Sequence, residues 1–177
     1  MDMPGLRALC ALLLLAPALG ACSLPPSFGS CKRTGPYLAE LTKVPVLELR
    51  PDRAAPLGGE AGPHAGCTEE SGVAWLSAER LYAYSGSQEE VLEYYDRAAP
   101  KVGWRPARDH HLEPDDQRPR FCFESRGRPS VTLGFHTAQQ LREAYGVDPG
   151  PETDATGPRI WFSVRTSAQN DGSSFGC

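Results

Sequence analysis

Two adjacent histidines, His110 and His111, lie in the only cluster of potential metal-binding side chains that the sequence contains. The acidic residues around them are Asp109, Glu113, Asp115 and Asp116. Imidazole and carboxylate groups can bind transition metals, so such a loop could serve an envelope metal-binding protein or a hydrolase. Adjacent side chains of an extended segment point in opposite directions, however, and Pro114 interrupts this one. We therefore expect a solvated acidic loop and no bound metal, and keep the metal-binding protein or hydrolase as the alternative function.

Other sequence patterns that carry chemistry are missing. The sequence has no GxSxG, HExxH or glycine-rich phosphate loop, the motifs of common hydrolases, metalloproteases and nucleotide-binding proteins. Ser85 and Ser87 flank Gly86, but a helix cap explains Ser87 better than a nucleophile does. The net charge of -4 from 18 basic and 22 acidic residues lacks the basic excess of nucleic-acid-binding proteins. We expect a protein without catalytic activity, cofactor or nucleic-acid partner.

Cys22 is the residue whose chemistry the sequence defines best. An apolar segment, residues 8–19, is too short to span a bilayer and is typical of a signal peptide. It leads into Leu19-Gly20-Ala21-Cys22, which resembles the lipobox at which bacterial lipoproteins are acylated and cleaved. Acyl chains on the cysteine would hold the protein on the membrane. We predict export and lipid anchoring to the outer face of the cell membrane.

The remaining cysteines of the mature chain form an even set. Cys10 leaves with the predicted signal peptide, and Cys31, Cys67, Cys122 and Cys177 remain. Four cysteines in an exported domain predict two disulfides, in any of the three possible pairings. A four-cysteine zinc site is disfavoured because no two of these cysteines have the spacing of a zinc knuckle.

One helix is clearly marked. Ser87 and Glu90 form a capping box, which lets each residue's side chain accept a backbone hydrogen bond at the helix start. Apolar residues then recur at helical spacing as Val91, Leu92, Tyr95, Ala98, Ala99 and Val102. This predicts a helix over residues 88–99 that ends near Pro100 and Gly103. Thr137 and Gln140 mark a second, shorter helix over residues 137–146.

The strands follow from alternating apolar and polar residues. Residues 74–84 and a segment that starts at Trp104 are predicted strands, residues 121–124 and 131–136 form a hairpin, and residues 160–165 form the last strand. Residues 37–50 are interrupted by Pro45 and suit an edge strand or an irregular cover, and residues 51–66 are a Pro/Gly loop. The prediction is an α+β fold: an antiparallel sheet of about four to five strands, stapled by disulfides, with one main helix on a face.

The helix region carries a resemblance. The residues concerned are Tyr84-Ser85-Gly86-Ser87, Glu90-Val91, Tyr94-Tyr95, Pro100 and Gly103-Trp104. This pattern resembles that of small bacterial lipoproteins of unknown function, in which a capped helix ends in Gly-Trp and leads into an antiparallel sheet. The resemblance spans about residues 74–167. It implies a cell-surface or periplasmic location and no known catalytic residues.

A possible ligand face follows from the strand alternation. If the apolar set of the strands faces the helix, the opposite face carries Glu124, Thr132, His136, Trp161 and Arg165. A tryptophan beside arginine and histidine could hold a peptide or a sugar. The competing interpretation, which we favour, is that residues 37–57 cover this face and are held there by a disulfide from Cys31.

These observations predict a signal peptide (residues 1–21), a lipidated tether (residues 22–36) and a single domain (residues 37–177). The first functional hypothesis is a monomeric, lipid-anchored module that binds an envelope protein, a peptide or another envelope component. A structural or inhibitory protein that acts on an exported partner is a further possibility.

Overall fold

The computed structural model describes residues 29–58, 62–70, 72–107, 120–151, 153–154, 157–174 and 177. Its α-helices are α1 (Gly35–Leu41), α2 (Gln88–Ala98) and α3 (Ala138–Tyr145), and 3-10 turns cover Pro45–Glu48 and Ala99–Val102. Its strands are β1 (Ala54–Pro56), β2 (His64–Glu70), β3 (Val73–Ser85), β4 (Arg105–Pro106), β5 (Arg120–Glu124), β6 (Ser130–His136), β7 (Thr153–Asp154) and β8 (Gly157–Gln169). The predicted signal peptide, the lipobox and the His110/His111 loop lie outside these residues.

The strands form an antiparallel sheet in the order β1-β3-β8-β6-β5-β4, in which β2 also pairs with β3 and β7 with β8. The two longest strands, β3 and β8, lie side by side, with Tyr82 opposite Phe162. The predicted hairpin is present, with Phe121 opposite Leu133 and Phe123 opposite Val131. The α+β class is therefore confirmed, but the sheet has more strands than expected, and three helices take the place of one main helix.

The first face of the sheet carries the main core. Even-numbered residues point to this face and are buried throughout β3 and from Phe162 onward in β8, whereas the odd-numbered residues of β3 stay more exposed. Helix α2 packs here through Tyr95, whose ring meets Phe162 edge-on with centroids 6.1 Å apart. Tyr82 stacks on the same Phe162 ring at 5.2 Å. The predicted contact between the helix stripe and the sheet is thus present.

Residues 37–50 do not form the edge strand that was one of the two expectations. They form α1 and the following 3-10 turn, which cover the first face beside α2. The Tyr82 hydroxyl donates a hydrogen bond of 2.6 Å to the Leu47 carbonyl, and the buried Arg80 pairs with Glu48. Burying a guanidinium is costly unless it is paired, so Glu48 compensates Arg80 and holds the segment on the sheet.

The loop prediction for residues 51–66 is wrong in part, because β1 and the start of β2 lie within it. Both strands pair along the same edge of β3, β1 near its end and β2 near its beginning. The Pro and Gly content of this stretch is tolerated because edge strands leave one side of the backbone unpaired. The strand predicted to start at Trp104 is the two-residue β4 within the described residues, and the Trp104 ring is buried, with its Nε1 donating to the Pro129 carbonyl at 3.0 Å.

Both capping boxes are present. In α2 the Glu90 amide donates to Ser87 Oγ at 3.2 Å, and the Ser87 amide donates to the Glu90 carboxylate at 2.8 Å. In α3 Thr137 and Gln140 exchange the same pair of bonds. Gly103, with φ at 98°, ends the turn after α2 in the left-handed conformation that favours glycine. These local signals fix where both helices begin.

Two disulfides are present, Cys31–Cys67 and Cys122–Cys177, so the structure selects one of the three pairings. The first joins the segment before α1 to β2. The last part of the predicted tether is therefore not free, since Cys31 is bonded and α1 begins at Gly35. The second joins the last residue of the chain to β5, and the Cys177 amide donates to the Glu124 carboxylate at 2.8 Å.

Candidate functional site

The second face of the sheet contains the residues predicted to bind a ligand. The strand register places Trp161 next to Ala83 and His136 at one end of this face. Further along the strands, Arg165 lies between Glu79 and Thr132. Because β3 and β8 are long strands, residues at one end of this face have different neighbours from residues at the other end.

One half of this face is covered by α3. Trp161 is only 4% exposed and packs against Ala138 and Leu141 of that helix, with Leu57 and Leu81 at the margin of the cluster. The ligand-face prediction is therefore corrected for Trp161, whose ring cannot contact a ligand from solvent. The expectation that residues 37–57 provide the cover is wrong for α1 and its 3-10 turn, which pack on the first face, and within that segment Leu57 borders the Trp161 cluster.

His136 belongs to the covered half as well. Its Nε2 lies 2.9 Å from Ser163 Oγ, and its ring meets Tyr145 edge-on at 5.4 Å. The Tyr145 hydroxyl in turn donates to the Glu79 carboxylate at 3.1 Å. This network fastens the end of α3 to the sheet, so His136 positions the helix.

The other half, which we call the open half, consists of Trp75, Ser77, Thr132, Arg165 and Ser167. Trp75 is 41% exposed and Arg165 is exposed, while the other three are half-buried. Ser77 and Ser167 lie opposite each other, so small side chains form a shallow floor between the tryptophan and the arginine. An exposed guanidinium can bind a carboxylate or phosphate group in two parallel hydrogen bonds. The exposed tryptophan of this face is therefore Trp75, which the sequence interpretation did not include.

Glu124, another residue of the predicted ligand face, is exposed. Its carboxylate accepts the hydrogen bond from the Cys177 amide, next to the disulfide that holds the last residue. Its place is at the margin of the second face, where it anchors the end of the chain. Of the five predicted residues, Thr132 and Arg165 are the two that lie on the open half.

A separate cleft of about 290 Å³ lies on the first-face side, at the start of α2. It is lined by Pro51, Asp52, Tyr84, Glu90, Glu93, Tyr94 and Arg97. The guanidinium of Arg53 lies 5.0 Å from the centroid of the Tyr84 ring and donates to the Tyr84 hydroxyl at 2.8 Å and to Glu90 at 3.0 Å. The Ser87–Glu90 cap is recognisable from the sequence pattern, but the Arg53 contact is not.

The electrostatics of the cleft indicate a structural role. The pKa of Glu90 lies below its ordinary value, chiefly because its carboxylate accepts the Ser87 amide and also because Arg53 is close. A carboxyl group that stays ionised is a poor general acid, and its acceptor capacity is already used by the helix cap and Arg53. The hydrogen bond from Arg53 to Glu90 thus holds the segment before β1 against the start of α2.

Neither a metal centre nor a membrane span is found in the part of the chain that the structure describes. No three His, Cys, Asp or Glu residues of that part come together as a metal site, and none of its helices has the length and hydropathy to cross a bilayer. His110 and His111, the weak metal candidates, lie outside it. The two disulfides indicate an oxidising environment outside the cytoplasm.

Comparison with known protein families, with curated proteins and with solved structures finds no match to this chain.

Proposed function

We propose that this chain is a lipoprotein, anchored through acylation of Cys22, whose domain is a non-enzymatic module that binds an envelope protein or peptide on the open half of the second face. The observation that carries the binding proposal is the exposed Arg165 beside a floor of small polar side chains. No ion pair of Arg165 occurs among the residues that the structure describes, although Glu79 and Thr132 flank it. Such a cation suits a partner that presents a carboxylate or phosphate group.

The anchoring part of the proposal rests on the lipobox and on the disulfides. Leu19-Gly20-Ala21-Cys22 resembles the acylation signal of small bacterial lipoproteins, and disulfides agree with export. Replacing Cys22 with Ala should release the protein from the membrane fraction and abolish its labelling by a radioactive fatty acid. A Cys22→Ala protein that still fractionates with membranes and takes no less acyl label would contradict the proposal.

The binding part is tested by photo-crosslinking in cells. A photoreactive residue placed at Thr132 should crosslink a discrete partner, and the same residue placed at the exposed Arg142 of α3 should not. The charge reversal Arg165→Glu should remove the Thr132 crosslink, because the guanidinium is the group that recognises the partner. Equal crosslinking from positions 132 and 142, or a Thr132 crosslink that survives Arg165→Glu, would rule out the open half as the binding surface.

A further inference from the structure

The described chain enters the domain at one end of the sheet. A Cβ atom at Gly29 would lie 2.7 Å from the Ala74 amide nitrogen and 3.3 Å from the Asn170 side-chain nitrogen. Gly29 therefore sits between the start of β3 and the turn that follows β8. The Cys31–Cys67 disulfide fastens the same segment to β2 two residues later. Any anchor before Gly29 must pull on the domain at this end, which we call the entry end.

Exposed large hydrophobic residues are concentrated at the entry end. Within the described ranges, the three that are exposed are Tyr37 at 43%, Val73 at 44% and Trp75 at 41%. Val73 and Trp75 begin β3 and share the second face. Tyr37 lies on the other side of this end, where its ring fills the space beside Gly172, since a Cβ there would lie 2.6 Å from the ring.

The charges at the entry end are mixed. Lys32 and Arg33 are exposed, but the acidic Glu69, Glu70 and Asp171 lie at the same end of the fold. The Glu69 carboxylate accepts from the Cys31 amide at 3.4 Å, and Asp171 accepts from the Ser173 amide at 2.8 Å. A surface with both signs of charge gains little from anionic lipids, so any membrane contact here must come from its apolar and aromatic side chains.

Chain length decides which end can face the bilayer. The seven residues from Cys22 to Gly29 span at most about 25 Å when fully extended. Strand β3 contains 13 residues, which at the usual rise make the sheet about 40 Å long. The tether is therefore too short to bring the opposite end, with the Glu90 cleft and the start of α2, down to the membrane beside the anchor.

We infer that the entry end docks on the membrane surface, with the Trp75 and Tyr37 rings at the level of the lipid headgroups. This inference rests on the proposed anchoring at Cys22. Amphipathic aromatic rings are favoured at the boundary between headgroups and acyl chains, where one edge is wet and the other apolar. The docked orientation holds the domain upright on its tether. It leaves Arg165 and the rest of the open half above the membrane and accessible to a partner.

Tryptophan quenching by brominated lipids tests the inference. The full-length protein is purified from bacterial membranes, its acylation at Cys22 is checked by mass spectrometry, and it is reconstituted in phosphatidylcholine vesicles with bromine on the acyl chains. Trp104 and Trp161 are buried, so lipid quenching reports on Trp75. We expect brominated lipid to quench the fluorescence, the emission to shift to the blue on reconstitution, and Trp75→Phe to abolish both effects.

A matched control places a tryptophan at the far end. In the Trp75→Phe background, Gln88→Trp puts an exposed indole at the start of α2, and brominated lipid should leave it unquenched. An acylated protein whose Trp75 escapes quenching overturns the docking but leaves the anchor intact. The docking is also overturned if Trp75 is shielded from solvent only because the protein forms a dimer in the absence of lipid. It is likewise overturned if brominated lipid quenches a tryptophan at position 88 as strongly as Trp75. A protein without acyl chains on Cys22 overturns the anchoring proposal and the docking with it.

Discussion

Two tryptophans on the second face of the sheet have opposite surroundings. Trp161 lies under α3 and is almost fully buried, whereas Trp75 stands in the open half and is exposed. Both alternate outward from the main core, and both belong to long strands of the same antiparallel pair. The difference shows that strand alternation defines a face, and that the element which crosses the face decides whether a side chain there is buried or exposed.

The largest effect should come from the covered tryptophan. Trp161→Ala removes a ring packed between α3 and the sheet, and we expect a loss of about 3 to 5 kcal/mol in the free energy of unfolding. Trp75→Ala should cost less, about 1 kcal/mol, because this ring is 41% exposed. Guanidinium unfolding followed by circular dichroism measures both. Comparable losses in the two variants would show that Trp75 is packed as Trp161 is. The second face would then have no open half.

The disulfide at the margin of the open half should rank next. The double variant Cys122→Ser/Cys177→Ser opens a loop whose ends are 55 residues apart, and removing such a native disulfide costs about 2 to 5 kcal/mol. It also frees Glu124 from the Cys177 amide. Thermal unfolding of this variant, beside Cys31→Ser/Cys67→Ser as the matched control, measures the cost. An unchanged midpoint in the first variant would mean that the end of the chain does not brace this margin.

The loss of stability at alkaline pH should depend on Tyr82 of the first face and not on the open half of the second face. Burial raises the pKa of Tyr82 to about 12, so the folded state holds this proton more tightly than the unfolded state, in which the pKa is about 10. Its contribution is present in full below pH 10 and is lost as the pH rises to 12, at most about 2.7 kcal/mol for a shift of two pKa units.

The measurement is the midpoint of urea unfolding between pH 9 and pH 12. Tyr82→Phe should flatten the fall in stability over that range, although the variant starts lower because the Leu47 carbonyl loses its donor. Arg165→Ala, on the open half, should leave the slope unchanged. A slope that persists in Tyr82→Phe would assign the alkaline sensitivity to other groups, such as Tyr95, whose pKa burial also raises.

Local signals in the sequence were sufficient for the helices and the hairpin. The caps at Ser87 and Thr137 involve residues three positions apart, so their chemistry can be read without knowledge of the fold. The pairing of Phe121 with Leu133 follows from alternation and a tight turn between the two strands. These contacts are close in the chain, which is why sequence patterns predict them.

Contacts between distant segments could not be predicted in the same way. The pairing of Cys31 with Cys67, the contact of Arg53 with Glu90 and the packing of α3 over Trp161 all depend on the three-dimensional path of the chain. Residues 51–66 were expected to be a loop because their Pro and Gly content hides the edge strands. The exposure of Trp75 does not follow from the sequence, because alternation alone does not distinguish it from Trp161.

The smallest expected effect tests the hold of α3 on the covered half. Thr137→Ala removes the hydroxyl that caps α3, at a cost of about 1 kcal/mol, and Ser87→Ala should cost α2 about as much. Only the first loosens the helix over Trp161, so it should increase acrylamide quenching of the tryptophan fluorescence and the hydrogen exchange of α3. Ser87→Ala leaves that cover in place and serves as the control. Equal quenching in the two variants would show that Trp161 is protected by the sheet and Leu57 without α3, and that the two halves differ for a reason other than this helix.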